Sequence, residues 1–128
     1  MSSKRVRIDL EFIFKASPTI IYNFVTTPAC LVRWYCNEVD ITGETYAFYW
    51  QGSSEVATLV DDIEDERVRF KWDEADDDEE YLEFRMYKSD VTNETIFEIT
   101  DFCDDDEVQE VKDLWTTLTT ELRKECGG

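Results

Sequence analysis

The chemistry-bearing side chains of this sequence are overwhelmingly carboxylates. There are 31 Asp and Glu against 13 Lys and Arg, a formal charge of −18 over 128 residues. Seven of the eight residues from 73 to 80 are acids, and Asp104, Asp105, Asp106 and Glu107 form a second run. Clustered carboxylate oxygens can hold a hard cation such as Ca²⁺. A pair of carboxylates in a cleft can also act as general acid and base. The 73–80 run lacks the glycine and the distal bidentate glutamate of an EF-hand loop, so it reads as a solvated hairpin loop and no metal is expected there. Acid–base work needs a carboxyl placed in a cleft with a perturbed pKa, and abundance alone does not supply that. Glu98 and Asp101 lie on or beside an inward strand phase; Asp101 can point toward the cavity mouth, but a cap on the final helix is the expected role. The sequence contains no histidine, which excludes Ser/His and Cys/His nucleophiles and His-ligated metals. Cys30, Cys36, Cys103 and Cys126 include no C-x-x-C pair. With acidic surroundings and no export signal they are expected to be free, unactivated thiols. The expectation is binding without a cofactor, not catalysis.

The charge also bears on partners. A nucleic-acid backbone or an anionic membrane would be repelled. The basic start MSSKRVR is followed by IDLEFIFK, where Asp9, Glu11 and Lys15 interrupt the apolar residues, so neither a signal peptide nor a membrane span is expected. The expected location is the cytoplasm. Aromatic residues at 14% argue against disorder and allow a core without staples, so residues 1–128 are expected to form one domain.

The elements that must position these groups follow from periodicity. Val6, Ile8, Leu10, Phe12 and Phe14 alternate with polar positions over 5–16, the period of a half-buried strand. Ser17-Pro18 then supplies an N-cap and first helical position for a short helix, and Pro28 opens a second over PACLVRWY. The period of two returns six times, through Val39 and Ile41, Tyr46 to Trp50, 55–63, Val68 to Trp72, Leu82 to Met86, and Phe97 with Ile99. Short strands separated by polar turns predict an antiparallel meander. From Asp104 to Lys124 the apolar residues Val108, Val111, Leu114, Trp115, Leu118 and Leu122 stand at helical spacing, with acids at the start and Arg123 and Lys124 at the end.

The order strand, two short helices, six strands, longer helix resembles the START-like, helix-grip superfamily. Within it, the closest likeness is to the AHSA-type homologues of the chaperone-ATPase activator. The residues that carry the resemblance are Pro18, Thr26-Thr27-Pro28 and Leu31-x-x-Trp34, then Gly43-x-x-Tyr46-x-Phe48-x-Trp50 and Val68-x-Phe70-x-Trp72. Thr95 with Phe97 and Ile99, and Trp115-x-x-Leu118, complete the set. The resemblance implies an α+β fold in which a curved antiparallel sheet of about seven strands grips the C-terminal helix. In this superfamily the space between sheet and helix often holds an apolar ligand, and since the fold hosts carriers, enzymes and chaperone regulators alike, the resemblance implies the fold more firmly than the function.

Two candidate sites follow. The first is an apolar cavity walled by Phe12, Phe14, Trp34, Tyr46, Phe48, Trp50, Phe70, Trp72, Phe84, Met86, Phe97, Trp115 and Leu118. Apolar walls with a few polar tips are how ligand pockets are built, although the same residues can form a solid core. A closed cavity above about 300 Å³ would favour a small apolar or amphipathic ligand, and a filled core would favour a protein-interaction module. The second is an acidic rim. In a meander successive turns alternate between the two ends of the sheet, so the 51–54, 73–80 and 102–107 turns share one end. Asp76, Asp77, Asp78 and Glu79 should therefore meet Asp104, Asp105 and Asp106 in a negative rim that favours a basic partner. The stripe Arg67, Arg69 and Lys71 with Arg85 is expected to face outward and pair with Glu83 and nearby acids. Self-association beyond a weak homodimer is opposed by the charge.

Overall fold

The computed structural model describes residues 4–75 and 79–128. Ten elements follow in order: β1 (Arg5–Phe14), α1 (Pro18–Thr26), α2 (Pro28–Leu31), β2 (Glu38–Thr42), β3 (Thr45–Trp50), β4 (Ser53–Ile63), β5 (Arg67–Trp72), β6 (Leu82–Lys88), β7 (Thr95–Asp104) and α3 (Val108–Glu125). All seven strands join one antiparallel sheet in the order β1-β7-β6-β5-β4-β3-β2. The meander from β2 to β7 is therefore in sequence order, and the first strand closes onto the last. The β2–β3 turn is possible because Gly43 adopts φ 59°, a left-handed conformation that costs glycine little.

Local chemistry explains the helix boundaries. Ser17 Oγ accepts the Ile20 N–H at 3.3 Å, and Pro18 occupies the first turn of α1. Ile21, Phe24 and Val25 face the sheet. The second helix is shorter than its sequence pattern suggests. It stops at Leu31, and turns carry the chain on to Tyr35, which lets the Trp34 and Tyr35 rings fold into the core. The final helix begins at Val108, not Asp104. Asp104 still belongs to β7, and Glu107 at the N-cap makes no side-chain capping bond. Among the described residues no helix is long and apolar enough to cross a membrane.

One face of the sheet, the α helices and the 32–36 segment enclose an aromatic core. Phe84 stacks on Phe97 at 5.6 Å between centroids, and Phe97 meets Phe14 edge-on at 5.7 Å. Phe70 links Phe84 at 6.5 Å to Phe48 at 6.0 Å. Such offset and T-shaped contacts add to the area these rings bury. In β4 the register with β5 shifts by one residue between Leu59 and Asp61, a bulge that bends the long strand. The α1 helix closes the end of the sheet near that bend. Tyr22 donates its hydroxyl to Asp62 at 2.6 Å, and Thr19 donates to Asp65 at 2.9 Å.

The outer face is held by charge. Arg69 binds Glu83 at 2.7 Å and covers the Tyr81 ring at 4.0 Å, while Arg67 pairs with Asp61 at 2.7 Å and Arg85 with Glu98 at 2.5 Å. Glu83 is buried beneath these arginines, so the basic stripe is a partner for sheet carboxylates.

Candidate ligand cleft and its acidic mouth

The strand alternation sends Trp50, Trp72 and Asp101 toward the concave face at one end of the sheet, and α3 brings Trp115 and Leu118 opposite them. Between them lies an open cleft of about 1590 Å³. Its lining includes residues from 50–56, 72–75, 79–82 and 101–104, so the turns expected at one end do converge there.

Of the residues expected to wall a cavity, Trp50, Trp72, Trp115 and Leu118 line this cleft. Phe14, Trp34, Tyr46, Phe48, Phe70, Phe84, Met86 and Phe97 do not; they are buried against one another and fill the deeper core. Phe12 packs on the edge of that cluster. The correction has a steric reason: the phenylalanine rings meet one another at contact distance and leave no room between them. The space that remains is large but open, and mixed in polarity where a closed apolar cavity was anticipated. Of the expected rim, Glu79 and Asp104 line the cleft, while Asp105 and Asp106 are exposed beyond it. Asp76, Asp77 and Asp78 lie outside the described residues.

Asp101 forms the polar point of the cleft floor. Its Oδ2 accepts the Trp115 indole N–H at 3.0 Å, and its Oδ1 accepts the Phe102 N–H at 2.8 Å. It therefore ties α3 to β7 through a side chain in the helix's second turn and does not cap the helix. Burial raises its pKa above the usual aspartate value, against the lowering effect of those two hydrogen bonds and of Arg5. Tyr35 lines the same cleft, 8% exposed, with its ring stacked on Trp115 at 6.0 Å. Trp50 is fixed by donating its indole N–H to the Tyr35 carbonyl at 2.7 Å. Burial first, then the charges of Asp101 and Glu55, push the Tyr35 phenol well above its ordinary pKa.

The mouth is clasped by Arg5. Its guanidinium reaches Glu80 at 2.6 and 3.1 Å and Asp104 at 3.2 Å, so one cation on β1 joins the two acidic segments. The β1–β7 register sets Arg5 opposite Asp104. Pairing the first strand with the last would have placed Arg5 there from sequence. Tyr35 carried no comparable signal, because it falls just beyond a helix that ends early.

The antiparallel sheet folded around a C-terminal helix, with an open cleft between them, defines a helix-grip protein. The family model for the START-like superfamily domain matches residues 1–128, and the chain belongs to that superfamily. It is similar to BfR322 of Bacteroides fragilis, solved in solution, at 30% identity over 96% of this chain and 92% of that one, with a TM-score of 0.68. It shares its fold with the Aha1 dimer of Colwellia psychrerythraea, at 21% identity over 94% and 96% of the two chains and a TM-score of 0.78. The same holds for MLL2253 of Mesorhizobium loti, at 12% identity over 93% and 95% and a TM-score of 0.76. No protein of curated function matches this sequence.

Proposed function

We propose that this START-like protein binds a small amphipathic molecule, without transforming it, in the cleft between the sheet and α3. The observation that carries this reading is the aromatic wall of the partly exposed Trp50 and Trp72, backed by the buried Trp115, around a space large enough for a small molecule. Leu114, 54% exposed on α3, adds an apolar lip at the same opening. The sequence offers no histidine, and burial pushes the Cys36 thiol up to about 11, which supports binding over nucleophilic chemistry. Four free cysteines suit a reducing cytoplasm. Native mass spectrometry of freshly purified protein should show a small retained mass that organic solvent strips. A spectrum of bare protein, together with no binding of small amphiphiles, would defeat the reading.

A second reading rests on the acids at the mouth. Glu55, Asp73, Glu74 and Glu79 surround the opening and suit a basic protein segment held by charge. Basic peptides that bind at low salt, weaken with added salt and leave the cleft tryptophans unperturbed would favour it.

A further inference from the structure

We infer that the cleft selects a primary ammonium group carried on an apolar body, with the ammonium seated between Asp101 and Tyr35. This rests on the cleft being a binding site and adds the chemical class of its occupant. Three observations carry it.

The first is the donor and acceptor count at the floor. A carboxylate offers about four lone-pair directions. Asp101 uses one on each oxygen, for Trp115 and Phe102, and so keeps about two. The Tyr35 hydroxyl makes no hydrogen bond among the described residues, and although the residue is only 8% exposed its oxygen is not sealed, so it is open to an occupant of the cleft it lines. Together these give about three free acceptors on two residues that line one cleft, and a primary ammonium has three N–H donors.

The second is charge. Seven described lining residues are acids (Glu55, Asp73, Glu74, Glu79, Glu80, Asp101 and Asp104) against Arg5 alone, and Arg5 is already paired to Glu80 and Asp104. An anionic head would meet net repulsion there. The third is the aromatic wall. The partly exposed Trp50 and Trp72 rings attract a cation and accept an apolar chain behind it.

The test is a matched series of probes below their aggregation limits: n-octylammonium, n-octyltrimethylammonium, octan-1-ol and octanoate. Binding is followed by tryptophan fluorescence and by the indole N–H signals in a nitrogen–proton NMR spectrum. The expected order places octylammonium about ten-fold tighter than octanol and than octyltrimethylammonium, with octanoate the weakest, because each lost charge-assisted hydrogen bond costs affinity. The Trp115 indole signal should shift, while that of Trp34, bonded to the Phe24 carbonyl at 2.8 Å in the sealed core, should not. Asp101→Asn should lose about ten-fold for octylammonium and leave octanol unchanged. Should that variant fail to fold, Tyr35→Phe removes one acceptor and should weaken octylammonium selectively. Equal binding of octanol and octylammonium would overturn the ammonium assignment and leave the cleft reading standing. Equal binding of octyltrimethylammonium would overturn the hydrogen-bonded seat. Binding of none of the four would overturn both the assignment and the cleft reading.

Discussion

The indole N–H of Trp115 donates to Asp101 Oδ2 across 3.0 Å, and this bond joins the final helix to the last strand. Trp115 is 3% exposed, so its indole N–H cannot readily exchange the carboxylate for water. Trp115→Phe keeps an aromatic ring but deletes the donor. The expected loss is about 1–3 kcal/mol, the worth of a hydrogen bond to a charged acceptor, read from urea unfolding. An unchanged midpoint would show that water reaches Asp101 freely.

Two carboxylates should give opposite pH signatures. Burial raises Asp101, so its contribution to stability is present below the unfolded carboxylate range and is lost as pH rises through its folded value. For Asp9, burial alone would raise the pKa, but hydrogen bonds from Thr100 and Arg7 outweigh it and the net shift is downward. Its contribution is present above the unfolded value and is lost as pH falls through the folded one. Urea unfolding at a series of acidic to neutral pH values checks both. Wild type should lose stability relative to Asp101→Asn as pH rises, and should lose it relative to Asp9→Asn as pH falls.

The filled and open halves of the concave face should respond differently to truncation. Phe97 is 0% exposed and touches Phe14 and Phe84. Phe97→Ala should cost about 3–5 kcal/mol, since the cavity it leaves cannot collapse against stacked rings. Trp72 stands partly exposed at the cleft, so Trp72→Ala should cost about 1–2 kcal/mol and remove one wall. Denaturant midpoints of the two variants make the comparison.

Arg5→Gln should loosen the mouth while leaving the core intact. The Arg5 side chain is 50% exposed and that of Glu80 11%, so the direct energetic loss is expected to be small, about 1 kcal/mol or less. The local effect should be larger. Amide hydrogen exchange is expected to accelerate around 79–82 and 101–105, where Asp105 N–H bonds the Lys4 carbonyl, and to remain unchanged in β3.

Thiol labelling should follow exposure. Cys36 and Cys103 are buried, and burial raises both thiols, whereas Cys30 is only partly covered. Brief treatment with iodoacetamide at neutral pH should label Cys30 ahead of Cys36 and Cys103. Early modification of Cys36, seen by peptide mass spectrometry, would contradict the packing around α2.

Alternation made the strands readable. Val68 and Phe70, or Leu82, Phe84 and Met86, declare which side of the sheet they occupy because burial of one face enforces a period of two. The convergence of the 51–54, 73–80 and 102–107 turns followed from the meander in the same way. What alternation could not separate is filler from wall: Phe48 and Trp50 share one phase, yet Phe48 is sealed and Trp50 faces the cleft. That difference depends on where along the strand α3 crosses, a three-dimensional fact with no local signature. Of the two placements the strand phase allows Asp101, the cleft holds and the helix cap does not, because α3 begins at Val108, past the acid run 104–107, and its Trp115 reaches back to the carboxylate.

The hydrogen bonds from Tyr22 to Asp62 and from Thr19 to Asp65 fasten α1 over the end of the sheet remote from the cleft. The two ends of the sheet are thereby held by different chemistry: hydroxyl-to-carboxylate bonds from a helix at one, and the guanidinium of Arg5 between Glu80 and Asp104 at the other. Added salt should therefore slacken the cleft end and leave the α1 end in place.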